Sequence, residues 1–387
     1  MPVKDGAEIT RRAFLLGGLS AAGLVALALT RGTFFSILGP DRWRRAQALA
    51  AGKLPTLDDF ASNVIRGGPP KDGIPPIDRP KYTSAAEADK FLVPEDVVFG
   101  VDYKGEVKAF PQIILVWHEI VNDTFGGEQA SLTYCPLTGS AVGFRGRSPI
   151  VDGKPLTLGT SGMLVNSNLL MYDRPTDSNW PQVLGVAIQG RLKGATLEEF
   201  PVVWTTWERW KRLYPNTLVL SRETGHIRAY GQDPYGSYRR PGNNYYFTGG
   251  PFFPIMHRSD RLPMKHVVMG IKHNGEQLAI PKDAMRKVEV SNTDIGEEPI
   301  VVLYDSALDT VRVYSRRLEG KVLQFERRGD VVADRQTGTT WSPRGQALKG
   351  KLRGAQLMGI NTFDVMWFAW YAFFPATRLF VPQVEGR

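Results

Sequence analysis

Cysteine is almost missing from this sequence: Cys135 is the only one in 387 residues. That excludes a disulfide framework within the chain and any zinc site built from cysteines alone. Several short motifs of common chemistries are absent too. There is no P-loop, no Gly-x-Ser-x-Gly elbow and no glycine-rich dinucleotide loop at a strand–helix junction. His118-Glu119 does not continue into a zinc-hydrolase motif, because position 122 is Asn. Long Lys/Arg runs and nucleic-acid signatures are lacking, so nucleic acid is not an expected partner. The 48 basic residues still exceed the 39 acidic ones, a net charge of +9 that suits anionic headgroups or acidic polymers. Beyond the N-terminus no segment is long enough to span a bilayer; the apolar run 365–375 is too short and follows Asp364 directly.

What is abundant points to strands and turns. Forty Gly and 27 Pro without a collagen period read as frequent turns, and 11% aromatic residues supply a core. The N-terminus has its own pattern. Thr10-Arg11-Arg12-Ala13-Phe14-Leu15 is followed by an uncharged stretch over 13–30, the form of a signal for twin-arginine export. Ala26-Leu27-Ala28 and Ala48-Leu49-Ala50 offer cleavage sites, and about 18 uncharged residues also suffice to stay behind as a membrane anchor. Either way the expectation is an extracytoplasmic protein, in the periplasm or on the outer face of the cytoplasmic membrane. Its partner in transit is the twin-arginine export machinery.

The strongest signal is internal self-similarity. Val97-Val98-Phe99-Gly100-Val101 matches Val267-Val268-Met269-Gly270-Ile271 at an offset of 170, which also pairs Glu119 with Glu289, Asn122 with Asn292 and Tyr134 with Tyr304. At an offset of 161, Asp173-Arg174-Pro175-Thr176 meets Asp334-Arg335-Gln336-Thr337 and Trp180 meets Trp341. At 160, Gly190-Arg191-Leu192-Lys193-Gly194-Ala195 meets Gly350-Lys351-Leu352-Arg353-Gly354-Ala355, and Trp207 and Trp210 meet Trp367 and Trp370. The expected fold class is α+β and β-rich: two tandem copies of one small domain, mostly antiparallel strands with two short helices each. The expected segments are 1–38, signal or anchor; 39–89, an N-terminal arm; 90–222, the first copy; 223–259, a linker; and 260–387, the second copy.

Within the first copy, 97–103 and 106–110 read as a hairpin around Lys104-Gly105. A helix opens at Pro111 with Ile113, Ile114, Val116, Trp117 and Ile120 on its apolar face. Short strands are expected at 131–134, 141–144, 156–158, 169–172 and 183–188, then a helix over 204–214 and a strand at 217–220.

A duplication carries its own control, since features shared by both copies serve the fold and features of one copy are candidates for function. Trp207/Trp210 and Trp367/Trp370 therefore read as core. The first copy alone has Cys135, which faces Asp305, and His118, which faces Val288. It is also nine residues longer between Tyr134 and Asp173, where Thr160-Ser161-Gly162 and Asn166-Ser167-Asn168 form a polar insertion. Cys135 and His118 are the candidate catalytic pair, a thiolate and imidazolium with Asn166 or Asn168 orienting the ring. Tyr134, Thr138, Ser161, Asn166, Asn168, Asp173 and Arg174 form the candidate ligand-binding set, although Asp173 and Arg174 recur in both copies and also suit a turn.

Three stretches carry a family resemblance: Tyr134-Cys135-Pro136-Leu137-Thr138-Gly139-Ser140, the insertion running into Asn168-Leu169-Leu170-Met171-Tyr172-Asp173-Arg174, and Gly190-Arg191-Leu192-Lys193-Gly194. Together they resemble the prokaryotic family called domain of unknown function 3179. The resemblance implies an exported or membrane-associated protein and supplies no reaction. Many relatives read Cys-Pro-Leu-Cys in the first motif; Thr138 holds the second cysteine's place here, which argues against a dithiol or two-thiolate role. Three uses remain open. The first is binding of a polar small molecule or envelope polymer near Cys135. The second is thiol-dependent catalysis or copper binding, the latter through Met256-His257, Met264, His266, Met269 and His273. The third is a non-catalytic scaffold. No resident metal or cofactor is named by the sequence.

Overall fold

The computed structural model describes residues 54–146, 151 and 153–382. The twin-arginine segment, both small-residue cleavage sites and residues 39–53 of the arm lie outside the described residues. The described chain is α+β and β-rich: short, mostly antiparallel sheets accompanied by six short helices. None of those helices is long and apolar enough to cross a membrane.

Val97–Tyr103 and Glu106–Pro111 form the first hairpin, with Val98 opposite Pro111 and Tyr103 opposite Glu106. Lys104 and Gly105 turn it at φ 51° and 79°, the left-handed pair whose twist matches the flanking strands. Val203–Thr206 pairs along one edge, and Leu218–Leu220 runs parallel to the other. In the second half Val267–His273 and Glu276–Pro281 make a hairpin with Val268 opposite Pro281, edged by Phe363–Met366.

A tryptophan lies on each hairpin at a residue without a side chain. A Cβ on Gly100 would come within 2.1 Å of the Trp210 ring, and one on Gly270 within 2.3 Å of the Trp370 ring. Glycine is needed here for close approach, not for an unusual φ. The two helices that carry these indoles differ sharply. Trp207–Leu213 buries Trp207 and Trp210 and leaves Glu208 and Arg212 to solvent. Trp367–Phe373 buries six of its seven residues. A helix apolar all round must be enclosed, and this one is: Phe373 packs on Phe60 with ring centroids 5.3 Å apart, and the Ala372 carbonyl accepts from Asn166. The 365–375 run is therefore core.

Two further sheets complete the first half. Ile120–Phe125, Glu128–Cys135, Ser140–Arg145 and Glu199–Phe200 lie side by side and antiparallel. Leu158–Val165 and Asn168–Asp173 form a hairpin turned by Asn166 and Ser167, at φ 53° and 61°. Ile65–Arg66 and Asn179–Pro181 flank it. The second half has Val290–Ile295, Glu298–Asp305, Thr310–Ser315 and Gly359–Ile360 in one sheet, and Phe325–Arg328, Val331–Asp334, Thr340–Trp341 and Ala347–Lys349 in another.

Some expected elements differ. The helix after Pro111 is one turn, Gln112–Leu115, and Ile120 already belongs to a strand. Glu119 ends it by turning left-handed at φ 57°. The apolar run 183–188 forms no strand; Val183, Ala187 and Ile188 are buried by packing, with only an isolated bridge from Val186 to Thr196. Much of the polar insertion is itself strand, Leu158–Val165, with a bulge between Thr160 and Met163. The stretch 223–259 has neither helix nor strand, yet Tyr245 and Tyr246 are buried and Tyr235 and Tyr238 pack on the same core.

Gly100→Ala should lower the unfolding free energy by about 1–3 kcal/mol, because the indole must move. Gly359→Ala, where an added Cβ meets nothing within 4 Å, should stay within ~0.5 kcal/mol of wild type. Urea denaturation of both variants checks the contrast, and equal stabilities would show that the indole does not bear on the strand.

Candidate functional site

Cys135 ends the strand Glu128–Cys135 and pairs across the hairpin with Ser140. The sulfur is buried, and the Leu169 amide donates to it at 3.4 Å. Burial first, and the Glu119 charge second, push the thiol up to about 11. It is therefore a neutral S–H at physiological pH. His118 is fully buried elsewhere. Its Nδ1–H donates to the Pro75 carbonyl at 2.7 Å, and its Nε2 accepts from the Tyr230 hydroxyl at 2.6 Å. Desolvation lowers it to about 4, so the ring stays neutral. Both nitrogens are engaged away from the thiol, and the expected thiolate–imidazolium pair is not assembled.

The polar residues around Cys135 form a directed chain of hydrogen bonds. Asn168 Nδ2 donates to Thr138 Oγ1 at 3.0 Å, Thr138 meets Ser140 Oγ at 2.8 Å, and Ser140 donates to Gln182 Oε1 at 2.7 Å. Gln182 Nε2 then donates to Thr133 Oγ1 at 3.1 Å, whose hydroxyl donates to the Val142 carbonyl at 2.8 Å. All five side chains are buried. Such a chain is worth its burial only when each member is satisfied, and here each is.

The other expected ligand residues are likewise occupied. Asn166 accepts from the Met256 amide at 2.8 Å and donates to the Ala372 carbonyl, tying the turn to the later half. Ser161 donates to the Leu170 carbonyl and accepts from the Met163 amide, closing the bulge. Asp173 takes the Thr176 amide at 2.7 Å and Trp180 Nε1 at 2.9 Å, as Asp334 takes Thr337 and Trp341. Arg174 pairs with Asp78 at 2.7 Å. Tyr134 lies under Phe99 and receives Gln112 Nε2 at 3.3 Å. The polar groups of Ser161, Asn166 and Asn168 therefore turn inward rather than toward a ligand, and Thr160 is the polar side chain of the insertion that lines a cavity. Among the Met/His stretch, Met269 faces the core and His266 pairs with Asp283 at 2.9 Å. Among the described residues no group of three or more His, Cys, Asp or Glu is placed to hold a metal.

A cavity of about 220 Å³ is lined mainly by apolar groups including Met163, Leu137 and Leu169, whose amide donates to the thiol, with Tyr235, Phe252 and Phe253 from the 223–259 stretch. One carboxylate faces it. Glu119 is only 6% exposed, and among the described residues its carboxyl has no hydrogen bond or ion pair. Desolvation alone raises it to about 8. Tyr235 is raised as well, by burial first and then by Glu119 and Cys135. Three acids thus sit together in their neutral forms.

The second half shows what is missing. Glu289 shares the left-handed backbone at φ 64°, and its carbonyl accepts from Tyr304 as that of Glu119 accepts from Tyr134. Glu289, however, is ion-paired with Arg327. Asn122 grips both backbone groups of Leu158, and Asn292 grips both of Phe325. Two residues beyond each grip stand Thr160 and Arg327, opposite Met171 and Val332 respectively. Thr160 lines the cavity where the other half has a guanidinium. Glu119 escapes a sequence comparison because it matches Glu289 and so reads as structural; the signal was its lost partner, hidden by the change in offset. A second cavity of about 220 Å³ is bounded by Arg145, Arg312 and Asn361, but its arginines are paired with Glu198 and Asp305.

Glu119 generates a pH dependence. Its carboxyl is raised from 4.5 to about 8, so between these pH values the folded chain keeps a proton that the unfolded chain has released. Stability from this residue is full below pH 4.5, falls as pH rises and levels off above 8, by on the order of 5 kcal/mol at most. Glu119→Gln should gain on wild type between pH 5 and pH 8 in urea unfolding. A pH-independent difference would mean that the carboxyl is not buried without a partner.

Comparison with known proteins gives a family and no activity. No curated protein and no solved structure matches the chain. One family model matches residues 71–377, well over half of the chain and including every site residue above. On that match the chain belongs to the family described as protein of unknown function (DUF3179).

Proposed function

We propose that this is an exported envelope protein made of two copies of one ancestral domain, and that the first copy holds a small ligand in the cavity at Glu119. The observation that carries the site is the buried, unpartnered carboxylate facing a cavity in one half, against the arginine-paired carboxylate of the other. Natural chains rarely bury a carboxyl without a compensating group. A ligand that supplies one explains why the residue persists there.

Export is supported by Arg11-Arg12 and the uncharged stretch behind them. Duplication is supported by contacts that recur in register: Trp210 on Gly100 and Trp370 on Gly270, Trp180 on Asp173 and Trp341 on Asp334. The ligand is small and largely apolar, with one polar group for Glu119, because the lining offers few other polar atoms. Cys135 keeps a neutral thiol behind Leu169, which lines this site, and the partners of His118 lend no support to thiolate catalysis. The second copy serves as a rigid support, its apolar helix packed into the core shared with Cys135.

Met163→Trp should fill the cavity. Native mass spectrometry of protein taken from its own envelope should show a small molecule on wild type and none on the variant; retention by both, or by neither, removes the site. Changing Arg11 and Arg12 to Lys should leave the chain in the cytoplasm on fractionation, and unchanged export would overturn the twin-arginine route.

A further inference from the structure

The cavity is short of one charge. Among the described residues its lining holds no Lys or Arg, and the polar side chains that reach it are Glu119, Thr160 and Tyr235. In the second half the same carboxylate position is answered by Arg327 from a strand position that Thr160 occupies here. Threonine is too short to reach as arginine does and carries no charge. What leaves Glu119 unpaired also leaves room for a ligand.

We propose that the ligand is an organic cation, a guanidinium or alkylammonium group on a short apolar stem, seated against Glu119 where the second half uses Arg327. This rests on the reading of the cavity as a ligand site. The remaining lining fits a cation as well. Tyr235, Phe252 and Phe253 bring aromatic faces, which attract a desolvated positive charge, and Met163 and Leu169 suit the stem. Phe252 is 64% exposed, so it stands at the rim where a ligand enters.

Binding carries a proton balance. The free site holds Glu119 as the neutral acid; the cation pairs with the carboxylate, and the displaced proton leaves to solvent. Glu119 faces Cys135 and Tyr235, and both remain protonated through the neutral range. The imidazole of neighbouring His118 is tied to Pro75 and Tyr230 and stays neutral there. One proton per ligand is therefore released below pH 8, and affinity at pH 6 is lower than above pH 8 by about 100-fold, ten per pH unit.

The test is isothermal titration of the full chain with butylguanidinium, butylammonium, butanol and butyrate at pH 6 and pH 9. The two cations should bind, more weakly at pH 6, with about one proton released there. Glu119→Gln should weaken the cations at pH 9 by tenfold or more, and Thr160→Arg should abolish their binding by supplying the guanidinium internally. Butanol or butyrate binding as well as the cations, or cation binding indifferent to pH and to Glu119→Gln, would overturn the cationic class and leave the cavity as a ligand site. Silence from all four probes, with no molecule retained by the envelope protein, would remove the site and the inference together.

Discussion

The grip of Asn122 on Leu158 is the contact on which the arrangement of the site depends. Its amide and carbonyl take both backbone polar groups of that residue, joining the sheet that carries Cys135 to the hairpin that carries the insertion. Residue 160 is thereby fixed two positions further along its strand, on the cavity that residue 119 faces. Asn292 makes the same grip on Phe325, and there the side chain two positions on is an arginine. One kind of scaffold contact thus sets two different residues near two carboxylates that share a left-handed backbone. The consequence is electrostatic: one carboxylate is answered by Arg327 at the surface, and the other is buried with no partner among the described residues.

The halves also differ in how their last helices are used. Trp207–Leu213 needs only one apolar stripe because its outer face meets water. Trp367–Phe373 has no outer face, so every position but one is buried. Fully burying an aromatic or aliphatic side chain is worth roughly 1.5–3 kcal/mol, and this helix concentrates several of them in the core that also holds Cys135, Leu137 and Leu169. The tyrosines of the 223–259 stretch cover the same region from the other side. The Tyr245 hydroxyl donates to the Leu137 carbonyl at 2.6 Å, closing the cap over the Cys135 loop. Rigidity around the cavity therefore comes from segments distant in sequence.

Much of the fold was legible from periodicity and turn chemistry. The hairpin around Lys104-Gly105 and the tryptophan pairs as core could be read without coordinates, because local alternation and turn residues specify them. Cys135 stood out in the sequence because Asp305 faces it at the matching position. The chemistry of the candidate site residues was not legible there. Thr138 and Asn168 look like ligand groups in a linear sequence, yet Asn168 donates to Thr138 and to Gln182, and hydrogen-bond partners more than ten residues away leave no local pattern. His118 reads as a partner for the thiol because both lack a counterpart at the matching position in the second half, but the left-handed turn at Glu119 and the tyrosine from the later stretch take its ring elsewhere.

By itself, the sequence determined the hairpin at Lys104-Gly105 and the burial of Trp207, Trp210, Trp367 and Trp370, since those choices follow from side-chain size, spacing and backbone preference. It also carried, in residues 71–377, the membership of a family. Only the tertiary structure decided which polar groups are spent on one another and which remains unanswered. Whether a carboxylate is free depends on the groups within a few ångströms of it, and the arginine that Glu119 lacks stands out only when Thr160 and Arg327 are seen at the same depth on their strands.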